Sequence, residues 1–428
     1  MTTDTTSMTL AEELQWRGFV NQTTFTTLDD VNQPRTFYWG VDPSAKSMHI
    51  GQLAMAMMIR HFIAHGHTAI LLVGGATGMI GDPGGKTSER DLKTIEEITT
   101  NKDAIADQYK QLFTGLSFRV VDNYDWFKDI NYLDFLRDIG KHFSMTQLLD
   151  RDFVKSRIGE GSSGISYAEF SYGLIQGYDY LHLYRTHGAS LQLAGSDQWG
   201  NSLSGVSMIK KLESSDTHVW TAPLIVDKTT GRKFGKSEGN AIWLDPTMTS
   251  PYQFYQFWLN VDDAGVIDYL KIYTLLTRDQ IEAVIEDQTS APAEREAQRL
   301  LAYEVTKLVH GEALADRVRS VSDLLFGRGD FDRLTSEDID VLSTEIPTVQ
   351  LVPTSGLQDD NAKTEMISTI LVKAGLCKSR GEARDAVTSG GVTIVGGQAK
   401  NLRVDSDVAI AVAPTLIKKG KNGFTLVR

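Results

Sequence analysis

Residues 35–75 read RTFYWGVDPSAKSMHIGQLAMAMMIRHFIAHGHTAILLVGG. Aromatic and β-branched residues crowd positions 35–42 until Pro43 stops the run, which reads as a strand. Ile50, Leu53, Ala54, Met57, Met58 and Phe62 then fall at i, i+3, i+4, i+7, i+8 and i+12, the apolar stripe of a helix that Gly66 ends. Thr68–Val73 is a continuous apolar strand closing on Gly74 and Gly75. Strand, helix and strand in this order make a βαβ unit, whose parallel strands need a crossover that is nearly always right-handed.

Further strands are expected at Phe118–Val121, Ser190–Ala194 and Leu224–Val226, separated by helical patterns. Residues 1–230 are therefore expected to form an α/β domain, a Rossmann-like open and mostly parallel sheet. Residues 231–325 carry a basic loop and then an α-helical domain. The polar stretch 326–361, with Pro347 and Pro353, reads as a linker that leaves few contacts between the tail and the body. Residues 362–428 read as a small α+β domain. Helical patterns cover Thr364–Ala374 and Ser379–Ser389, the second opening on a Ser379/Glu382 capping spacing, and VTIVGGQA reads as a hairpin around Gly396 and Gly397.

The 428-residue chain is 41% hydrophobic, ample for packed cores, and no apolar run approaches the roughly 18 residues of a membrane span. A threonine-rich start without a signal core and a single cysteine, Cys377, lead to the expectation of a cytoplasmic protein with no membrane partner, internal disulfide or cysteine-held zinc. The net charge of -12 is uneven: residues 361–428 carry +6, so a basic tail follows an acidic body.

Chemistry concentrates where expected strands end, because helix N-termini there offer free N–H groups to phosphate. His49-Ile50-Gly51-Gln52 opens a helix at such an end, as a phosphate-handling site or an ordinary capped helix would. GGATGMIGDPGGKTSER, residues 74–90, holds glycines with Asp82, Lys86 and Arg90. It is no Walker loop, since Gly81 stands one residue too close to Gly85-Lys86-Thr87, and the stretch holds no GxGxxG. Tyr172, Gln176 and Asp179 stand at i, i+4 and i+7, one helix face that is either a solvated surface or a pocket wall. GSDQWGN places Asp197 and Gln198 at another helix start, and GRKFGKSEGN sets Lys233 and Lys236 among glycines, suited to a leaving group such as pyrophosphate.

HIGQ, KFGKS, YWGVDPSAKSMHIG, VGGATGMIGDP, NYDW at Asn123–Trp126, FLRDIGKHFS at Phe135–Ser144, FSYxxxQxYD and GSDQWGN follow in order over residues 35–325. Together they resemble the class I aminoacyl-tRNA synthetases, closely those of the bacterial tyrosyl type. Residues 376–397 resemble the RNA-binding domain shared with a ribosomal small-subunit protein. The resemblance implies activation of tyrosine by ATP to tyrosyl-adenylate and pyrophosphate, then transfer of tyrosine to tRNA(Tyr). ATP is a substrate, Mg2+ is expected with the nucleotide, and no protein-bound metal is expected.

Carried over by position, Ser44, His49 and Gln52 would act at the nucleotide, with Lys86, Arg90, Lys233, Lys236 and Ser237 on the phosphate loops. Gly40, Asp42, Gly51, Gly195 and Asp197 would line the ATP site. Asp82, Tyr172 and Gln176 would take the substrate ammonium, Gln198 its carboxyl end, and Tyr38 with Asp179 its phenol. Lys378, Arg380, Arg384, Lys418, Lys419 and Lys421 would meet tRNA, and a homodimer would form around residues 125–160. Two positions depart from the family pattern. Gln52 replaces histidine or asparagine as a neutral donor, and Trp39 stands where many relatives carry a small residue. A tryptophanyl relative would not need paired phenol-binding groups, and an inactive RNA-binding scaffold would not need the complete pocket.

Overall fold

The computed structural model describes residues 8–83, 93–149, 152–155, 157–158, 164–231, 236–237, 240–290, 292–351 and 364–428. It divides into two compact units, residues 1–249 with 261–301, and residues 250–260 with 302–428.

The first unit is built on a six-stranded sheet. Strands β2 (Thr36–Val41), β3 (Thr68–Val73), β4 (Phe118–Asp122), β5 (Ala189–Gly195) and β6 (His218–Ala222) are parallel in the order 6-5-2-3-4. The two-residue strand β1 (Gln22–Thr23) pairs antiparallel on the β6 edge. The expected βαβ unit is β2, α2 (Ile50–Ala64) and β3, preceded by the helix α1 (Leu10–Arg17). All six residues of the apolar stripe are buried, each large one stabilising by roughly 1.5–3 kcal/mol. The helix stops at Ala64, and Gly66 takes a φ of +88°, a left-handed conformation that glycine adopts without a side-chain clash.

Alternation along β2 sends its side chains to opposite faces. Phe37 meets Phe62 of α2 and Trp39 meets Tyr109 of α3 (Ile95–Leu112) on one face, while Tyr38 meets Tyr180 of the Tyr167–His187 helix on the other. The chain turns toward β3 on one side of β2 and lays β5 on the other. The ends of β2 and β5 thus border the switch point where open α/β sheets hold ligands.

The expected strand at Leu224–Val226 is displaced. The strand runs over His218–Ala222 and Pro223 ends it, because proline has no N–H for the ladder.

In the second unit the expected linker, 326–361, is folded over its described part. A 3-10 turn at Phe331–Arg333 and a helix at Ser336–Glu345 lead to the strand Thr348–Val349, which joins the C-terminal sheet parallel to Gly423–Val427. Phe331, Ile339 and Leu342 share a core with Val321, Leu324, Leu416, Phe424 and Leu426, so the tail is not loosely attached within this unit. The polar surface of the stretch hid apolar residues at helical spacing. Helices Ile367–Lys373 and Arg380–Thr388 form as expected, the latter capped by Ser379. The hairpin pairs Val392–Gly396 with Leu402–Val404 around a longer turn than Gly396-Gly397 alone.

Candidate active site

A cavity of about 370 Å³ opens at the ends of β2 and β5. Tyr38, Gly40, Asp42, Ser44, His49, Gly51, Gln52, Asp82, Tyr172, Gln176, Asp179, Gly195, Asp197 and Gln198 all line it, so residues scattered over 160 positions of sequence meet in one place. Lys86, Arg90 and Lys233 lie outside the described residues. So do the side chains of Lys236 and Ser237, whose backbone pairs with Asn240–Ala241.

At one end stands the start of α2. His49 is its N-cap, and the ring Nδ1 accepts the Gly51 N–H at 3.0 Å, which places the proton of a neutral ring on Nε2. A Cβ at Gly51 would lie 2.8 Å from Cε1 of His49, so the glycine is what lets the ring fold back over the helix end. The Gln52 carbonyl accepts the His49 backbone N–H at 2.9 Å, a capping role that fixes the amide beside its expected one as a donor.

At the other end the face of the Tyr167–His187 helix is a pocket wall. Asp179 is buried and accepts from Asn123 Nδ2 at 3.1 Å on Oδ2 and from Trp126 Nε1 at 2.9 Å on Oδ1. Trp126 stacks in turn on His182, centroids 4.4 Å apart. Tyr172 donates to Asp42 Oδ2 at 2.8 Å, and Gln198 Nε2 donates to Asp82 Oδ2 at 2.5 Å. Among the described residues the buried Tyr38 hydroxyl and Gln176 Oε1 have no hydrogen-bond partner, an arrangement costly unless a ligand supplies one.

Burial lifts the Asp179 carboxyl to about 8, with Asp42 and Asp122 adding to the lift and the Asn123 and Trp126 hydrogen bonds opposing it. Burial together with the charge of Asp179 also holds the Tyr38 phenol neutral, well above its usual range. A carboxyl raised on folding stays protonated in the folded protein after the unfolded chain has lost its proton. Its folding penalty is absent below the unfolded value near 4, grows as pH rises, and levels off above about 8. Asp179→Asn is therefore expected to gain melting temperature relative to the parent between pH 5 and pH 8.5 in the absence of ligands. An unchanging difference across that range would show that Asp179 is already ionised at pH 5.

Asn123, Trp126 and Thr77 escaped sequence reasoning as members of the site. NYDW stood out as a motif, but nothing in its spacing says that its amide and indole reach a carboxylate 53–56 positions away.

The residues expected to meet tRNA fall into two sets. Arg384 pairs with Asp407 at 3.4 Å, Lys419 with Glu382 at 3.3 Å, and Lys418 lies over the Phe424 ring at 5.0 Å. Lys378, Arg380 and Lys421 are exposed.

Residues 30–327 match the family of class I tRNA synthetases of the tryptophan and tyrosine type, and residues 339–427 match the C-terminal domain of tyrosine–tRNA ligases. The chain is 41% identical to a tyrosine–tRNA ligase 2 of Bacillus cereus and 40% identical to a tyrosine–tRNA ligase of Limosilactobacillus reuteri, each over 98% of this chain and all of the relative. A truncated mitochondrial tyrosyl-tRNA synthetase of Aspergillus nidulans superposes with a TM-score of 0.67 at 31% identity, covering 75% of this chain and 95% of that one. A tryptophanyl-tRNA synthetase of Encephalitozoon cuniculi, at 14% identity and a TM-score of 0.53, shares the fold. The chain belongs to the class I tRNA synthetases, on the branch of the tyrosine–tRNA ligases.

Proposed function

We infer that this cavity activates tyrosine with ATP and that the enzyme then charges tRNA(Tyr). The carrying observation is the buried Tyr38 hydroxyl without a partner in a cavity that also exposes Asp179 and the start of α2. A phenol seated there can donate to Asp179 and accept from Tyr38, whereas a phenyl ring leaves both groups unpaired and an indole, a donor only, leaves the Tyr38 hydroxyl without an acceptor. Asp82 and Gln176 offer oxygen acceptors to the substrate ammonium, and Tyr172 holds Asp42 beside them. The substrate carboxylate is already an anion, so the first step needs no general base. Catalysis then comes from setting the carboxylate in line with the α-phosphate and from stabilising charge on departing pyrophosphate.

His49, with its Nε2 proton, and Ser44 are assigned to that charge, and Lys86, Arg90, Lys233 and Lys236 to the departing pyrophosphate. Gln52 keeps its Nε2 donor for the nucleotide because its carbonyl is committed to the helix cap. Magnesium arrives with ATP. A dimer fits the first unit, where Tyr132, Leu133, Met145 and Tyr167 are each more than half exposed.

The test is ATP–pyrophosphate exchange driven by tyrosine, phenylalanine or tryptophan. Tyrosine alone is expected to support it at low concentration. Tyr38→Phe is expected to reduce the preference for tyrosine over phenylalanine by about tenfold, the cost of one lost hydrogen bond. Exchange driven equally well by tryptophan would sink the reading.

A further inference from the structure

We infer that Thr77 is a positioning residue that ties the carboxylate of Asp42 to that of Asp179, so that one hydroxyl sets both ends of the amino-acid pocket. The inference rests on the reading of the cavity as a tyrosine site. Thr77 opens a 3-10 turn shortly after β3 and is 3% exposed. Its Oγ1 donates to Asp42 Oδ1 at 2.6 Å and accepts from Asn123 Nδ2 at 3.1 Å.

The directions are fixed by what each group can do. A threonine hydroxyl has one proton, and here it goes to Asp42, so Asn123 must approach a lone pair. Asn123, fully buried, spends its two amide hydrogens on Thr77 and on Asp179 Oδ2, and its carbonyl accepts the Ala76 N–H at 2.7 Å, which prevents the amide from turning over. Asp42 takes Tyr172 on its other oxygen. The polar line therefore runs from Tyr172 through Asp42, Thr77 and Asn123 to Asp179.

The close meeting of hydroxyl and carboxylate depends on a bare backbone beside them. A Cβ on Gly74 would lie 2.2 Å from Thr77 Oγ1 and 2.3 Å from Asp42 Oδ1. Thr77 itself supplies no charge and neither donates to nor accepts from a reacting atom in the chemistry proposed above. Its effect should fall on where the two carboxylates stand.

Valine keeps the shape of threonine and removes both bonds, leaving Asp42 without one donor and an Asn123 N–H unpaired. In tyrosine-driven ATP–pyrophosphate exchange, Thr77→Val is expected to raise KM for tyrosine about tenfold with kcat within about twofold of the parent, and to lower selectivity against phenylalanine. Thr77→Ser, which restores the hydroxyl, is expected to recover both. Should valine fail to fold, Thr77→Ala compared with Thr77→Ser gives the same reading. A valine enzyme with the parent's KM and selectivity overturns the inference. So does a fall in kcat and melting temperature at constant KM, or a serine enzyme no better than valine. A parent without tyrosine-driven exchange would instead overturn the function proposed above.

Discussion

Asp179→Ala is expected to lower kcat/KM for tyrosine on the order of 10³-fold, because two or more buried hydrogen bonds are lost at roughly 1–3 kcal/mol each. The substitution removes the acceptor proposed for the phenol. It also strands the Asn123 amide and the Trp126 indole N–H, both aimed at the missing carboxylate from 3.1 and 2.9 Å. A buried donor that loses its acceptor costs more than the bond itself contributed, so the alanine pocket is worse than an apolar one of the same shape. KM for ATP should stay near the parent value, since the nucleotide end is held separately by the His49 and Gln52 cap. Exchange rates at varied tyrosine and saturating ATP measure the effect. A loss under tenfold would mean that Asp179 does not bear on the substrate.

The pocket wall was legible in outline from the sequence. Tyr172, Gln176 and Asp179 lie on one helix face because 3.6 residues make a turn, and that spacing alone left open whether the face was solvated or lined a pocket. Contacts across the cavity decided the matter and were not legible. Tyr172 bonds to Asp42 across 130 positions and Gln198 to Asp82 across 116, contacts that local periodicity carries no trace of.

The βαβ unit was readable for the opposite reason. Each of its elements is specified by neighbours a few residues apart, and the handedness of the crossover does the rest. The two misread stretches share a cause. At Leu224–Val226 an apolar run suggested a strand although Pro223 had already ended the ladder. At 326–361 a mostly polar sequence concealed Phe331, Ile339 and Leu342, which are apolar at the positions that face a core shared with strands 70 to 100 residues further on. The roles of Gln52 and Asp42 were half visible. A glutamine at a helix start suggests a donor to ligand, but its carbonyl could be assigned to the His49 N–H only from the geometry.

That folded stretch also changes how the tail is best tested. Removing residues 361–428 would take Leu416, Phe424 and Leu426 out of the core that Val321, Leu324 and Leu342 share with them, so a truncated chain would lose stability along with any RNA contact. Substitution of exposed cations separates the two. Lys378, Arg380 and Lys421 are solvent-facing, and so is Arg384 beside Asp407, whereas Lys419 is partly buried and paired with Glu382. The triple variant Lys378→Ala, Arg380→Ala, Lys421→Ala is expected to weaken tRNA charging at limiting tRNA by about 100-fold, at roughly 1 kcal/mol for each charged contact. Tyrosine-driven exchange should be unchanged, because all three positions lie in the second unit and every residue lining the cavity lies in the first. Phosphate contacts release counterions, so the slope of log affinity against log salt should flatten by about 2–3 in the variant. Lys419→Ala should act differently, lowering the melting temperature with little change in that slope, because its ammonium is held by the Leu376 carbonyl and Glu382. Unimpaired charging by the triple variant, at equal exchange activity, would leave the basic tail no role beyond a solubilising surface.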